Sequence, residues 1–185
     1  MKITLTGKQL RAALHNAATK DIRYYLNGLF FDLDTNKLVA TNGHHMYLST
    51  IYCESEENDV NGIESFILPR FKVAASVIKA IITYTGYKNI QVELMYKDGN
   101  ATVQCFEAID GTFPNYERVM PSGVNSVTES FFNASYMALI EKTYGKNAAI
   151  RLEFYGDNVS MLVTCKGDNA QLVIMPMRKE NFYND

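Results

Sequence analysis

His44 and His45 are the clearest candidates for chemistry in this chain, because an imidazole can ligate a metal or carry a proton near neutral pH. Neighbouring residues on a strand or turn point apart, so an adjacent pair rarely shares one ion. No H-E-x-x-H or H-x-D spacing supplies further ligands. Cys53, Cys105 and Cys165 are odd in number and far apart, with no C-x-x-C among them. They read as small strand or core residues, not as a disulfide framework or a zinc site. Gly-x-Ser-x-Gly, P-loop and dinucleotide fingerprints are absent, and no Ser or Cys stands in a recognisable triad context. The expectation is a protein that is not an enzyme and needs no cofactor and no metal.

Binding chemistry is more promising. The windows 1–24, 65–88 and 133–151, which hold three expected helices, carry twelve basic residues against two acidic, although the whole chain has a formal net charge of −2. Solvated helix faces ordinarily mix both signs, and here the compensating acids are nearly missing. Lys8, Arg11, Lys20, Arg70, Lys72, Lys79, Lys142 and Lys146 are therefore expected to form one basic surface for a polyanion. There is no helix-turn-helix spacing, zinc finger or aromatic RNP motif. Contact with duplex DNA would accordingly be to phosphates and insensitive to sequence.

Three internal repeats supply the elements that must position these groups. The first opens with the strand MKITLT, and Thr6 and Gln9 in capping-box spacing start a helix with the stripe Leu10, Ala13, Leu14 and Ala17. Strands LFFDL, LVAT and YLSTI follow. The second opens with SFILP, and Pro69 leads into an expected helix through Val73, Ala74, Val77, Ile78 and Ile81. Strands IQVELMY and ATVQCFE follow, joined by a turn at Lys97-Asp98-Gly99-Asn100. The third opens with SVTESFF. Asn133 then caps a helix bearing Tyr136, Met137, Ile140 and Tyr144 that stops at Gly145, before strands IRLEFY, VSMLVTC and QLVIMPM. The expected class is α+β: three β-α-β-β-β repeats, with antiparallel sheets and helices on one face. Two breaks punctuate them, the acidic stretch Glu54 to Gly62 and the segment Pro121 to Asn125.

With 185 residues, 47% of them hydrophobic and 21% charged, the chain has ordinary globular composition and room for a core. No apolar run approaches the roughly 20 residues of a membrane span, and the N-terminus lacks the apolar stretch of a secretory signal. A cytoplasmic location is expected, with no membrane partner.

Four segments go beyond periodicity: DIRYYLNG at Asp21 to Gly28, ATNGHHM at Ala40 to Met46, AIDGTFPNYERVMP at Ala108 to Pro121, and LVIMPMR at Leu172 to Arg178. Their types and order resemble the bacterial DNA polymerase III β subunit, the β sliding clamp. In that family Arg-Tyr-Tyr-Leu-Asn-Gly, Ala-Thr-Asp-Gly-His-Arg-Leu and Gly-x-Phe-Pro-Asp-Tyr segments lie in the middle domain, and Met-Pro-Met-Arg closes the last. The resemblance covers the complete middle domain and the closing half of the last, with the first domain missing. Here Asn42 replaces the acidic residue of the Asp-Gly-His loop, His45 replaces the following Arg and Met46 the Leu, and KENFYND continues after Arg178.

The resemblance implies a DNA-clamp-like fold, with a clamp-like domain at 1–122, a third unit or half domain at 126–178 and a tail at 179–185. It implies a DNA replication processivity factor that assembles around duplex DNA and captures short linear motifs of a DNA polymerase or other partners in a hydrophobic cleft. That cleft would be lined by Leu26, Thr41, Gly43, His44, Met46, Pro121, Val173, Met175, Pro176 and Met177. Thioether side chains suit such a surface because they repack around different peptides. On the DNA side it adds Arg23, Tyr24 and Tyr25 to Arg70. A homo-oligomer is expected, as a dimer through the third unit or a tetrameric ring of two such dimers. The shortened form suits a phage or other mobile element. The competing reading is an interaction module that never encircles DNA, for example a decoy that sequesters partners of a host clamp. Phe182 and Tyr183 in the tail invite docking into the cleft, against the plainer reading of a frayed terminus.

Overall fold

The computed structural model describes residues 1–54, 64–86, 88–123, 127 and 129–183. Strand β1 (Lys2–Thr6) runs directly into helix α1 (Gly7–Asn16). The expected capping box is present: Gln9 N–H donates to Thr6 Oγ1 at 3.1 Å and Thr6 N–H to Gln9 Oε1 at 3.0 Å. Leu10, Ala13, Leu14 and Ala17 are buried, as their spacing requires. Strands β2 (Gly28–Asp32), β3 (Lys37–Thr41), β4 (His45–Thr50) and the short β5 (Cys53–Glu54) complete the first unit.

The second unit comprises β6 (Phe66–Pro69), β7 (Val77–Tyr84), β8 (Asn89–Tyr96) and β9 (Ala101–Glu107). Its expected helix does not form. Residues 70–76 are irregular, and Val77 and Ile81, read as a helical stripe, lie on β7. Two physical causes explain the correction. The segment is rich in β-branched residues, which favour an extended backbone. In addition, a bulge between Val77 and Lys79 shifts the register, so Val77 and Ala80 both face inward at a helix-like spacing. Beyond the bulge, Ala80, Ile82 and Tyr84 are buried with the period of a strand.

In the third unit α2 (Ala134–Tyr144) starts at Asn133, whose Oδ1 accepts the Ser135 N–H at 2.9 Å. It ends at Gly145, which adopts φ 101° and donates its N–H to Glu141 O. Strands β10 (Ile150–Glu153), β11 (Met161–Cys165) and β12 (Gln171–Ile174) follow, then a single turn, α3 (Glu180–Tyr183). No strand forms at 127 or 129–132, where one was expected; 126 and 128 lie outside the described residues, as do 55–62 and 124–125 of the two breaks.

All pairing is antiparallel. One sheet has the order β5-β1-β7-β8-β9 and the other β10-β11-β12-β4-β3-β2-β6. The first two units interleave by exchanging their opening strands: β1 joins β7 and β6 joins β2. The third unit extends the larger sheet through β12 and β4, pairing Val173 with Met46 and Ile174 with His45. Helix α1 packs against strands of both sheets, and α2 packs on α1 and β12. The α+β class with antiparallel sheets therefore stands, while the middle repeat lacks its helix.

Candidate functional site: an apolar cleft and a basic groove

The β4–β12 seam, together with the segment 114–119 that follows β9, creates a cleft of about 200 Å³ to which all three units contribute. Leu26, Met46 and Val173 form its floor and are almost wholly buried. They belong to an apolar cluster with Val39, Leu48, Ile67, Phe113 and Leu162, separate from the main core. Thr41, Gly43 and Met175 wall the cleft, together with Arg23, His45, Pro114, Asn115, Tyr116 and Val119. Met175 is tied down by its N–H, which donates to His44 O at 2.9 Å.

The turn at its rim is built by short polar side chains. Asn42 Oδ1 accepts the N–H groups of His44 and His45 at 2.9 and 3.2 Å, a task an aspartate oxygen performs equally well. Thr41 Oγ1 donates to His45 O at 2.7 Å and accepts the Gly43 N–H at 3.0 Å. Gly43 sits at φ 90°, and a Cβ there would meet the Arg23 guanidinium at 3.1 Å. Arg23 itself grips Asp21 through Nε and Nη2 at 3.0 and 2.8 Å, and Nη2 reaches Asn42 O at 3.3 Å. That grip holds the Asp21 carboxyl down at about 2.

The two histidines differ in depth, although both rings meet Tyr136 of α2. His44 lies outside the cleft lining and stacks on Tyr136 of α2, with ring centroids 5.5 Å apart. His45 is buried beneath the rim, with Nδ1 2.8 Å from Asn16 Oδ1. Asn16 Oδ1 can only accept, so Nδ1 carries the proton. Burial, and then the charge of His44, lower the His45 pKa to about 4. Among the described residues no three His, Cys, Asp or Glu side chains gather as metal ligands.

A second concavity runs beside α1, along the irregular segment that stands where a second helix was expected. Arg11, His15, Arg70 and Lys72 line it, over Leu14 and Phe71. The His15 pKa is lowered first by burial and then by Lys142, Arg70 and Arg11, so basic groups from three parts of the chain act on one point. Arg11 Nη1 donates to Val77 O and Arg70 Nη1 to Ala17 O, each at 2.8 Å. These bonds fix both guanidinium groups, which have five donors apiece.

Residues 5–115 match the family of the DNA polymerase III beta subunit, central domain. The chain belongs to that family. It is similar to the beta sliding clamp of Haemophilus influenzae, 33% identical over 129 residues, which is 65% of this chain and 32% of the relative. It is also similar to the beta sliding clamp of Vibrio cholerae, 26% identical over 138 residues, 70% of this chain and 36% of the relative. The chain thus spans about a third of the length of these curated relatives. A DNA polymerase sliding clamp from Pseudomonas aeruginosa, solved with a ligand, superposes with TM-score 0.68 at 21% identity, covering 96% of this chain and 66% of that one. Caulobacter crescentus pol III beta gives TM-score 0.68 at 20% identity, with 96% and 65% coverage. The sliding-clamp fold is therefore established.

Within this clamp fold the cleft gathers Leu26, Thr41, Gly43, Met46, Val173 and Met175 of the residues expected there. His44 and Pro121 are not in the lining, and Pro176 and Met177 face a separate, shallow depression shared with Met175. Pro114, Asn115, Tyr116 and Val119 were missed, although they stand in the Ala108–Pro121 segment; taking the whole segment as wall would have found them. Arg23, expected on the DNA side, lines the cleft. Of the other residues expected on DNA, Arg11, Arg70 and Lys72 share the basic groove. Lys142 acts on it through His15. Lys8 instead pairs with Asp168 at 2.7 Å, and Lys79 is exposed on β7. Lys20 is exposed in the left-handed region at φ 57°, and Lys146 is exposed just after α2. Tyr24 is exposed and meets Tyr25 edge-on at 5.7 Å, while Tyr25 packs on the cleft's apolar cluster. No helix of the described residues is long and apolar enough to cross a membrane.

Proposed function

We propose that this chain is a sliding-clamp processivity factor that holds a DNA polymerase to duplex DNA by capturing a short peptide of the polymerase in the cleft. The observation that carries the reading is the cleft's construction. Its floor joins Leu26 and Met46 of the first unit to Val173 of the third across one sheet, beside the thioether of Met175. A concave apolar patch with a rim of backbone turns and one guanidinium suits an extended peptide with bulky apolar side chains. In this reading 1–122 is the clamp-like domain, 126–178 the half domain that completes the cleft, and 179–185 a tail.

The basic groove supports the DNA half of the proposal. Arg11, Arg70, Lys72 and Lys142 converge around His15, and nothing in their setting reads base edges. Several copies of the chain together enclose the duplex, and the contacts are to phosphate.

Two measurements test it. A fluorescent peptide from a clamp-binding segment of a DNA polymerase should bind the wild-type chain, and Met46→Asp with Met175→Asp should lose at least about tenfold in affinity, since one puts a charge in the apolar floor and the other in the wall against which the peptide's apolar side chains pack. Separately, the chain should be retained on closed circular DNA, released on linearisation, and lost with Arg70→Glu, Lys72→Glu and Lys142→Glu combined. Equal peptide affinity in both proteins removes the cleft assignment. Retention that survives the charge reversals, or is indifferent to linearisation, removes the encircling clamp.

A further inference from the structure

The second unit's share of the cleft is held by side chains and not by sheet pairing. Among the described residues, 108–122 join no strand, and past Ile109 their backbone-to-backbone bonds are local, as from Met120 N–H to Glu117 O. Phe113 stacks on Phe30 of β2 with ring centroids 4.7 Å apart, and Ser160 Oγ donates to Val119 O at 3.1 Å. Between these two ties, the Tyr116 hydroxyl donates to Asp32 Oδ2 at 2.7 Å. Tyr116, Pro114 and Val119 face the cleft, whereas Asp32 lies outside its lining, buried at the end of β2.

We propose that Asp32 is a positioning residue for peptide capture: through Tyr116 it fixes the wall formed by 114–119 and so sets the width of the cleft. The proposal rests on the peptide reading of that cleft and adds the group that shapes it. Asp32 divides its oxygens between two tasks. Oδ1 accepts the N–H groups of Asp34 and Thr35 at 3.1 and 3.2 Å, which orders the β2–β3 turn. Oδ2 is left for Tyr116, at the length of a charge-assisted bond. Tyr116 has one proton, spent on that carboxylate, so its oxygen accepts from Thr35 Oγ1 at 2.9 Å. Both partners of the hydroxyl thus belong to one turn.

The turn alone does not explain a buried carboxylate, because an asparagine oxygen accepts the same two N–H groups and brings no charge to desolvate. The second oxygen and its charge find their use in Tyr116. Burial by itself would raise the Asp32 pKa, yet the bonds from Tyr116, Thr35 and the turn's N–H groups hold it below the usual carboxylate value. Burial, with the Asp32 charge adding to it, pushes the Tyr116 hydroxyl up to about 12, so it stays a donor. With the hydroxyl committed, the ring is fixed edge-on to Phe30 at 6.5 Å and is what remains for a peptide's apolar side chains.

Tyr116→Phe keeps the ring and removes only the tether. In hydrogen exchange on the full chain, the amides of 115–120 should exchange at least about tenfold faster than in wild type, with the β2–β6 pair unchanged. Affinity for the clamp-binding peptide should fall about fivefold or more. Asp32→Ala should do the same, and Asp32→Ala with Tyr116→Phe should bind no more weakly than Asp32→Ala alone, because both break one bond. Asp32→Asn keeps the turn and a polar atom facing Tyr116, and should recover most of the affinity. A residue that merely stabilised the fold would lower the melting temperature and leave the affinity of the folded protein unchanged. Unchanged exchange at 115–120, unchanged peptide affinity in Tyr116→Phe, losses that add, or an Asp32→Asn variant as weak as Asp32→Ala overturns the proposal. A wild-type chain that binds no peptide strikes the clamp reading, and exchange at 115–120 then decides alone whether Asp32 holds the wall.

Discussion

Strands β2 and β10 hold the same place in their units, each being the first strand after the unit's helix. Their outer edges differ. β6 covers β2, with Phe31 directly opposite Phe66 and the two rings stacked at 4.8 Å. In consequence Leu29 and Phe31 are 0% exposed, whereas the corresponding apolar row on β10 is left more than a third exposed. Burial of a strand's inner face here is set less by its own sequence than by whether a neighbouring strand lies beyond it. That is why the third unit keeps an exposed apolar row where the first unit has a buried one.

The comparison predicts its largest difference in stability. Phe31→Ala should cost about 3–5 kcal/mol, because it removes a closed aromatic stack and leaves a cavity that packed strands cannot fill. Leu152→Ala at the rim should cost under about 1 kcal/mol in monomer at low concentration, since water already reaches the site. Urea unfolding of both variants makes the measurement. Equal losses would mean that β10 is as enclosed as β2 and that the contrast is false.

How much of this was legible in the sequence follows from how local each cause is. The capping of α1 by Thr6 and Gln9, and the limits of α2 at Asn133 and Gly145, depend on contacts a few residues apart and could be read directly. The second unit's helix was misread because a bulge at Val77–Lys79 imitates helical spacing, and only the pairing of β7 with β1 and β8 reveals it. The cleft was legible in part through family resemblance. Which of His44 and His45 turns inward was not, because the register of β4 on β12 and the arrival of α2 decide it.

The inner seam of the third unit supplies the next test. Where β2 meets β6 through aromatic rings, β4 meets β12 beside a buried polar pair, His45 and Asn16, under Tyr136 and Thr143 of α2. The folded state keeps His45 neutral down to about 4, while an unfolded histidine takes up its proton near 6.5. Above that range neither state gains a proton and the full stability is present. As pH falls from about 6.5 towards 4 the unfolded chain binds the extra proton, and stability drops by up to about 3 kcal/mol. His15, whose pKa is also lowered, acts in the same sense. His45→Gln keeps a donor for Asn16 Oδ1 and cannot titrate, so its pH profile should be flatter. Hydrogen exchange should show acid loosening α2 and β12 before the β2–β6 pair; simultaneous loss would deny that the seam is the weaker joint.

The smallest effect is expected at the ion pair that ties α1 to the turn between β11 and β12. Lys8 Nζ lies 2.7 Å from Asp168 Oδ2, a short contact that bridges the first and third units. Half of the Lys8 side chain is nonetheless exposed, so water and salt screen the attraction, and fixing a long flexible side chain offsets much of the gain. Asp168 also accepts the Ala170 N–H through its other oxygen at 3.0 Å, which keeps the turn ordered without Lys8. Lys8→Ala should therefore cost under about 1 kcal/mol, less at high salt, and should leave the acid transition of the seam where it was. A loss approaching that of Phe31→Ala would show that the third unit is held to the first by charge, and the apolar floor shared by Met46 and Val173 would then be the lesser tie.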